Sequence, residues 1–232
     1  MTLLTLSQTK IDKSNAATGP RAGWQTAILH LAPAMQVVGH PNTCPAASDG
    51  CRAACLNTAG RGTFSNVQAA RRRKTLYFLK QRAEFLSDLR NDISRFVKRC
   101  ARMAKKPAVR LNGTSDIVWE RVAPELFAEF PQVQFYDYTK LAGRFAHSIP
   151  RNYHLTLSRS EANDAEVAET ARAFPWVNVA VVFDKALPAM YNQRPVIDRT
   201  LDDLRFLDPV GVVVGLLALG RARKDASGFV VR

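Results

Sequence analysis

No stretch of this 232-residue chain is apolar for long enough to cross a bilayer; the longest such run, residues 210–219, falls well short of the ~20 residues a spanning helix needs. The opening residues carry no basic group ahead of their few leucines and no small-residue cleavage pattern, so they do not read as a secretory signal. Several catalytic signatures are also missing. There is no GxxxxGK[ST] phosphate loop, no nucleophile elbow for a Ser/His/Asp triad, no HExxH and no HxE…PCxxC deaminase pattern. Internal repeats and low-complexity segments are absent too. These absences turn attention from transport, common hydrolysis and nucleotide-triphosphate chemistry to the cysteines and the basic charge.

The composition, 47% hydrophobic and 23% charged, is that of a globular protein with a core large enough for one sizeable α/β domain. Acid is scarce, and the net charge of +13 is concentrated. Residues 71–110 hold fourteen Lys and Arg against three acids, a surplus of eleven, which leaves +2 for the rest of the chain. Such a stretch is a solvated helix face or an attractor of nucleic acid or of an anionic substrate. Four cysteines without a secretory signal suggest a reducing compartment, the cytoplasm, or the host cytoplasm if the protein is viral.

Residues 1–23 are polar, with a Gly19-Pro20 breaker, and predict an extended arm ahead of a single domain over 24–232. Strands are predicted at 25–31, 108–112, 133–138, 153–158, 177–183 and 210–217. Phe85, Leu89, Ile93, Phe96, Cys100 and Met103 draw one apolar stripe on a helix that Pro107 ends. Helices are further predicted at 117–129 and 161–173. Val-rich runs without in/out alternation, separated by helices, argue for a parallel sheet buried on both faces. The expected fold is therefore α/β, a single-domain partial (β/α) barrel with about six mainly parallel strands.

Three of the four cysteines fall within a loop spanning 43–62. Cys44, Cys51 and Cys55 are spaced C-x6-C-x3-C, and Cys51 and Cys55, four apart, share one face of a helical turn. Thiolates are preferred ligands of zinc and of iron–sulfur clusters. A closed zinc site needs a fourth ligand. His40 is the better candidate, since Cys100 sits in the apolar stripe and reads as core. Without a fourth ligand, a [4Fe–4S] cluster would keep one iron free for a substrate or cofactor. Iron–sulfur, structural zinc and unligated thiols are the three readings of this loop.

A three-cysteine loop after the first strand of an α/β barrel resembles the radical S-adenosylmethionine (radical SAM) enzymes. More closely, this loop together with Arg110-Leu111-Asn112-Gly113-Thr114-Ser115-Asp116, Phe135-Tyr136-Asp137-Tyr138-Thr139-Lys140 and the segment 153–161 resembles a phage family, the gene product 88 type. The resembling segments span about residues 10 to 220. The spacing departs from the C-x3-C-x2-C of most radical SAM enzymes. That resemblance implies that Cys44, Cys51 and Cys55 hold three irons while the fourth takes the methionyl group of S-adenosylmethionine, which is cleaved reductively to a 5′-deoxyadenosyl radical. It also implies that Asn112, Gly113, Thr114, Ser115 and Asp116 meet the methionyl amino group, and that Ser158, Arg159 and Glu161 meet the ribose or carboxylate.

The residues have credentials and plainer readings of their own. Gly113 permits close backbone approach, and Ser115 and Asp116 could accept from an ammonium or could cap the helix that follows. Lys140 lies at a strand end, where barrel chemistry collects. Tyr136 and Tyr138 could donate a hydrogen atom, stack on a base or simply fill the core. Asp137, inside an apolar strand, requires partners. The basic residues at 221–224 follow the last strand and could hold a phosphate or remain solvated. Two functions are expected as alternatives: an iron–sulfur, radical SAM-like enzyme acting on a phage or host substrate, or a basic nucleic-acid-binding or replication-associated phage protein with a structural metal loop.

Overall fold

The computed structural model describes residues 1–7, 9–200 and 202–232. One ten-stranded sheet organises the chain. Its elements are β1 (Leu4–Thr5), α1 (Thr9–Asn15), β2 (Trp24–Leu29), α2 (Asp49–Ala53), α3 (Ser65–Lys80), α4 (Arg82–Arg102) and β3 (Lys106–Arg110). There follow α5 (Trp119–Val122), α6 (Glu125–Glu129), β4 (Gln134–Thr139), β5 (Tyr153–Ser158), α7 (Asp164–Ala173) and β6 (Val179–Phe183). The chain closes with β7 (Met190–Tyr191), β8 (Arg194–Asp198), β9 (Val213–Leu217) and β10 (Val230–Val231).

The sheet runs β1-β2-β3-β4-β5-β6-β9-β8-β7, and β10 pairs with β6 off that path. From β2 through β8 every pairing on the path is parallel; the end strands β1 and β7 pair antiparallel. The six predicted parallel strands are all present, each within a few residues of its expected limits. The expected count of about six is corrected to ten. The additions are short, like β1, β7 and β10, or, like β8, interrupted by Pro195 and without an apolar run. The first 23 residues, expected as an extended arm, carry β1 and α1, with Leu3, Leu4 and Ile11 buried.

The two faces of the sheet differ. On one, Ala27, Val109, Phe135 and Tyr153 stand in register and pack against Phe85, Leu89, Ile93 and Phe96 of α4. Each such fully buried side chain contributes about 1.5–3 kcal/mol. Cys100 belongs to this core, as its place in the stripe predicts. The predicted helix at 117–129 is split in two by Pro124, which has no N–H to donate and restrains Ala123 ahead of it.

On the other face stand Thr26, Arg110, Tyr136, Tyr138 and Thr156, a polar lining. Its lower half is covered by residues 202–208. Phe206 lies 5.4 Å from the ring of Tyr136 and 4.6 Å from that of Trp24. Asp203 takes the Arg110 guanidinium at 2.8 Å and the Tyr138 hydroxyl at 3.2 Å. Arg205, fully buried, bonds Asp202 at 2.8 Å and lies 3.3 Å from Asp208. The upper half of this face, at the C-terminal ends of the strands, stays open.

Candidate functional site: a thiol-lined cavity

That open end is a cavity of about 440 Å3. Cys44, Cys51 and Cys55 line one side of it. Asn112 to Asp116, Tyr138, Lys140 and Ser158 also line it, and Phe229 with Leu216 and Leu217 completes the wall. Residues separated by more than a hundred positions in the chain thus share one chamber, at the strand ends where parallel α/β folds place their ligands.

The cysteine loop is held by its own capping and by a distant carboxylate. Ser48 caps α2, its hydroxyl accepting from the Cys51 amide at 3.1 Å. Glu161 accepts from Ser48 Oγ at 2.9 Å and from the Gly50 amide at 2.7 Å. A Cβ at Gly50 would stand 2.1 Å from Ser227 Oγ and 2.7 Å from Glu161 Oε1, so a larger residue would displace the Glu161 carboxylate or the Ser227 hydroxyl. Cys44 Sγ lies 3.5 Å from the Thr114 carbonyl, and the Asp116 amide donates to Thr43 O at 2.7 Å, which joins the cysteine loop to the 112–116 loop.

Burial pushes the Cys44 thiol up to about 11, partly offset by a backbone hydrogen bond from Ala34. Cys55 is raised by the same cause, with the Asn57 amide and the charges of Arg71 and Lys140 pulling it back. Cys51 and Cys55 add to the rise at Cys44, and Cys51 adds to that at Cys55. Arg71 is anchored to Asn57 Oδ1, which sets its charge beside Cys55. Among the described residues, no group of three or more His, Cys, Asp or Glu side chains converges tightly enough for a single metal ion. His40 does not line the cavity.

The 112–116 loop is built around one amide. Asn112 Oδ1 accepts from Ser115 Oγ, the Ile117 amide and Trp119 Nε1, at 2.8, 2.9 and 3.2 Å. Its Nδ2 donates to Ile117 O at 2.9 Å. Below it, Asp137 Oδ1 accepts from the Asn112 amide at 2.7 Å and Oδ2 from Tyr153 Oη at 2.7 Å. Burial drives the Asp137 carboxyl up to about 7, against the pull of Arg110, Tyr153 and that amide. Asp116 accepts from the Lys140 amide at 2.8 Å and lies 3.6 Å from Arg144. Gly113 passes so close to β2 that a Cβ there would meet His30 Nδ1 at 2.5 Å. The His30 ring nitrogens are buried without partners, and burial beside Arg71 and Arg110 holds the imidazole neutral.

Of the residues singled out from sequence, Cys44, Cys51, Cys55, Asn112 to Asp116, Tyr138, Lys140 and Ser158 come together on the cavity. Tyr136 does not line it; its ring is buried against Phe206 and its hydroxyl has no partner. Asp137 points to the helix-covered face and supports the 112–116 loop from behind. Arg159 bonds Asp164 at 2.9 Å and the carbonyls of Gly228 and Phe229, while Glu161 grips α2; neither lines the chamber. Sequence reasoning missed Arg110 at the floor, although a charged residue closing an apolar strand was a usable signal. Nothing local marked Thr200 or Phe229.

Fold and site define a mostly parallel α/β protein with a three-thiol cavity at its strand ends. A family model described as Gene product 88 matches residues 2–232, and the chain belongs to that phage protein family. No curated protein and no solved structure matches it.

Proposed function

We propose that this chain is an iron–sulfur protein of radical SAM-like architecture, in which Cys44, Cys51 and Cys55 hold a [4Fe–4S] cluster and S-adenosylmethionine enters the same cavity. The observation that carries the reading is the shared chamber: three thiols from one loop face the strand-end residues that would receive a cofactor. Thiolates are preferred ligands of iron–sulfur clusters, and these three line one cavity between them. Winding in chain order from β2 to β6 supports a partial (β/α) barrel.

When bound, such a cluster supplies one-electron reduction at an iron without a protein ligand. The chain's own residues would do the positioning. Lys140 Nζ, whose bonding partner is the neutral Ser158 hydroxyl at 3.3 Å, offers charge to a carboxylate. Asn112 fixes the 112–116 loop, and Gly113 lets that loop lie close against the end of β2. Leu216, Leu217 and Phe229 give an apolar wall that excludes water.

Oxygen-free purification followed by iron, sulfide and zinc analysis tests the proposal. The expected result is a brown protein with about four iron and four sulfide per chain and absorption near ~400 nm. Cys51→Ser is expected to abolish both. With reductant and S-adenosylmethionine, the loaded protein is expected to form 5′-deoxyadenosine. A colourless protein holding stoichiometric zinc overturns the cluster; a loaded protein that never yields 5′-deoxyadenosine overturns the cofactor assignment.

A further inference from the structure

Arg71 and Arg110 serve the cavity, but much of the surplus positive charge stands away from it. Arg95, Lys98, Arg99 and Arg102 stand at i, i+3, i+4 and i+7 on the exposed face of α4; Lys105 follows in the turn and Lys106 opens β3. Ala104, in the left-handed region at φ 50°, makes that turn and keeps the last two cations beside the helix end. Asp92 pairs with Arg95. Among the described residues, no carboxylate lies within ion-pair distance of Lys98, Arg99, Arg102, Lys105 or Lys106. The patch sits where the strands begin, at the opposite end of the sheet from the thiols.

We infer that this patch is a docking surface for the phosphate backbone of a DNA duplex. Three unpaired cations on the helix face and two just past its end complement a polyanion, and binding of that kind rests on release of condensed counterions. The surroundings discriminate among polyanions. A membrane-surface helix needs an apolar face to insert, and the apolar stripe of α4 is buried in the core. Single strands are held by stacking on aromatic side chains; no exposed aromatic ring stands among residues 90–110, and the Trp24 ring, 5.5 Å from Lys106 Nζ, is half-buried against Phe206. A protein interface is built round an apolar or aromatic anchor, and Met103 is the sole exposed large hydrophobic in this stretch. Cations without anchors suit a backbone interaction that reads no sequence.

The test is titration of a fluorescein-labelled 20-base-pair DNA duplex into the full chain by anisotropy, across a series of salt concentrations. A triple variant, Lys98→Gln, Arg99→Gln and Arg102→Gln, is compared with Arg221→Gln, Lys224→Gln at the cavity end. The slope of log affinity against log salt is expected to become shallower by about 0.9 for each phosphate that is no longer neutralised, so by up to about 3 in the triple variant, with affinity at least tenfold weaker. The cavity-end variant is expected to match the parent. Unchanged thermal midpoints establish that both variants fold. Equal binding by the parent and the triple variant overturns the inference. So does an equal loss in the two variants, tighter binding to the single strand, or tighter binding to vesicles of anionic lipid. None of these outcomes depends on the metal content of the protein.

Discussion

Asp137 is a carboxylate set where a carboxylate is costly, in the middle of a strand and beneath the loop that lines the cavity. Its pKa is raised to about 7 from an ordinary 3.8, so the folded protein holds this proton more tightly than the unfolded chain does. Its contribution to stability is therefore full below pH 4 and declines as pH rises through about 7. Asp137→Asn removes that decline. Urea midpoints measured for parent and variant at pH 5 and pH 7 are expected to show a larger fall in the parent. The comparison also cancels His154, whose pKa is lowered to about 4 and whose effect runs the other way. The sequence marked Asp137 as needing partners, and it has them. It gave no sign that the carboxylate turns toward the helix-covered face, because strand register decides which way a side chain points.

At the scale of elements, α2 is a single turn and a half carrying Cys51, and it depends on Glu161. Glu161→Ala leaves the Gly50 amide and Ser48 without their acceptor. Amide hydrogen exchange over residues 44–55 is expected to accelerate at least tenfold, with the sheet unchanged; Glu161→Gln, which keeps an acceptor oxygen, is expected to recover part of the protection. The grouping of the three cysteines was legible because they lie within twelve residues. The clamp was not, since its partners are a backbone N–H and a hydroxyl 111 and 113 residues away. Helix α4 was the most legible element, its stripe repeating at every turn. Leu89→Ala there is expected to cost about 2–5 kcal/mol, read as a lowered urea midpoint.

Across the whole molecule, the polar face of the sheet is stabilised from below by buried charge pairs, with residues 202–208 as the plug. Asp203→Ala leaves Arg110 buried without its closest counter-charge, and removing one partner of such a pair costs about 3–5 kcal/mol. Chemical denaturation is expected to show that loss. The order of the six predicted strands followed from their alternation with helices, so the winding was readable. The plug was not readable, because residues 202–208 mix acids, arginines and apolar residues with no period that marks an element.

β10 lies against the upper half of β6, above the point where β5 parts from it, and so sets Phe229 in the cavity wall. During synthesis the three cysteines emerge long before that wall exists. Without that wall the cavity is open to solvent on one more flank. A chain ended at Gly228 preserves that unfinished state. Its cysteines are expected to react with a bulky maleimide several-fold faster than those of the full chain.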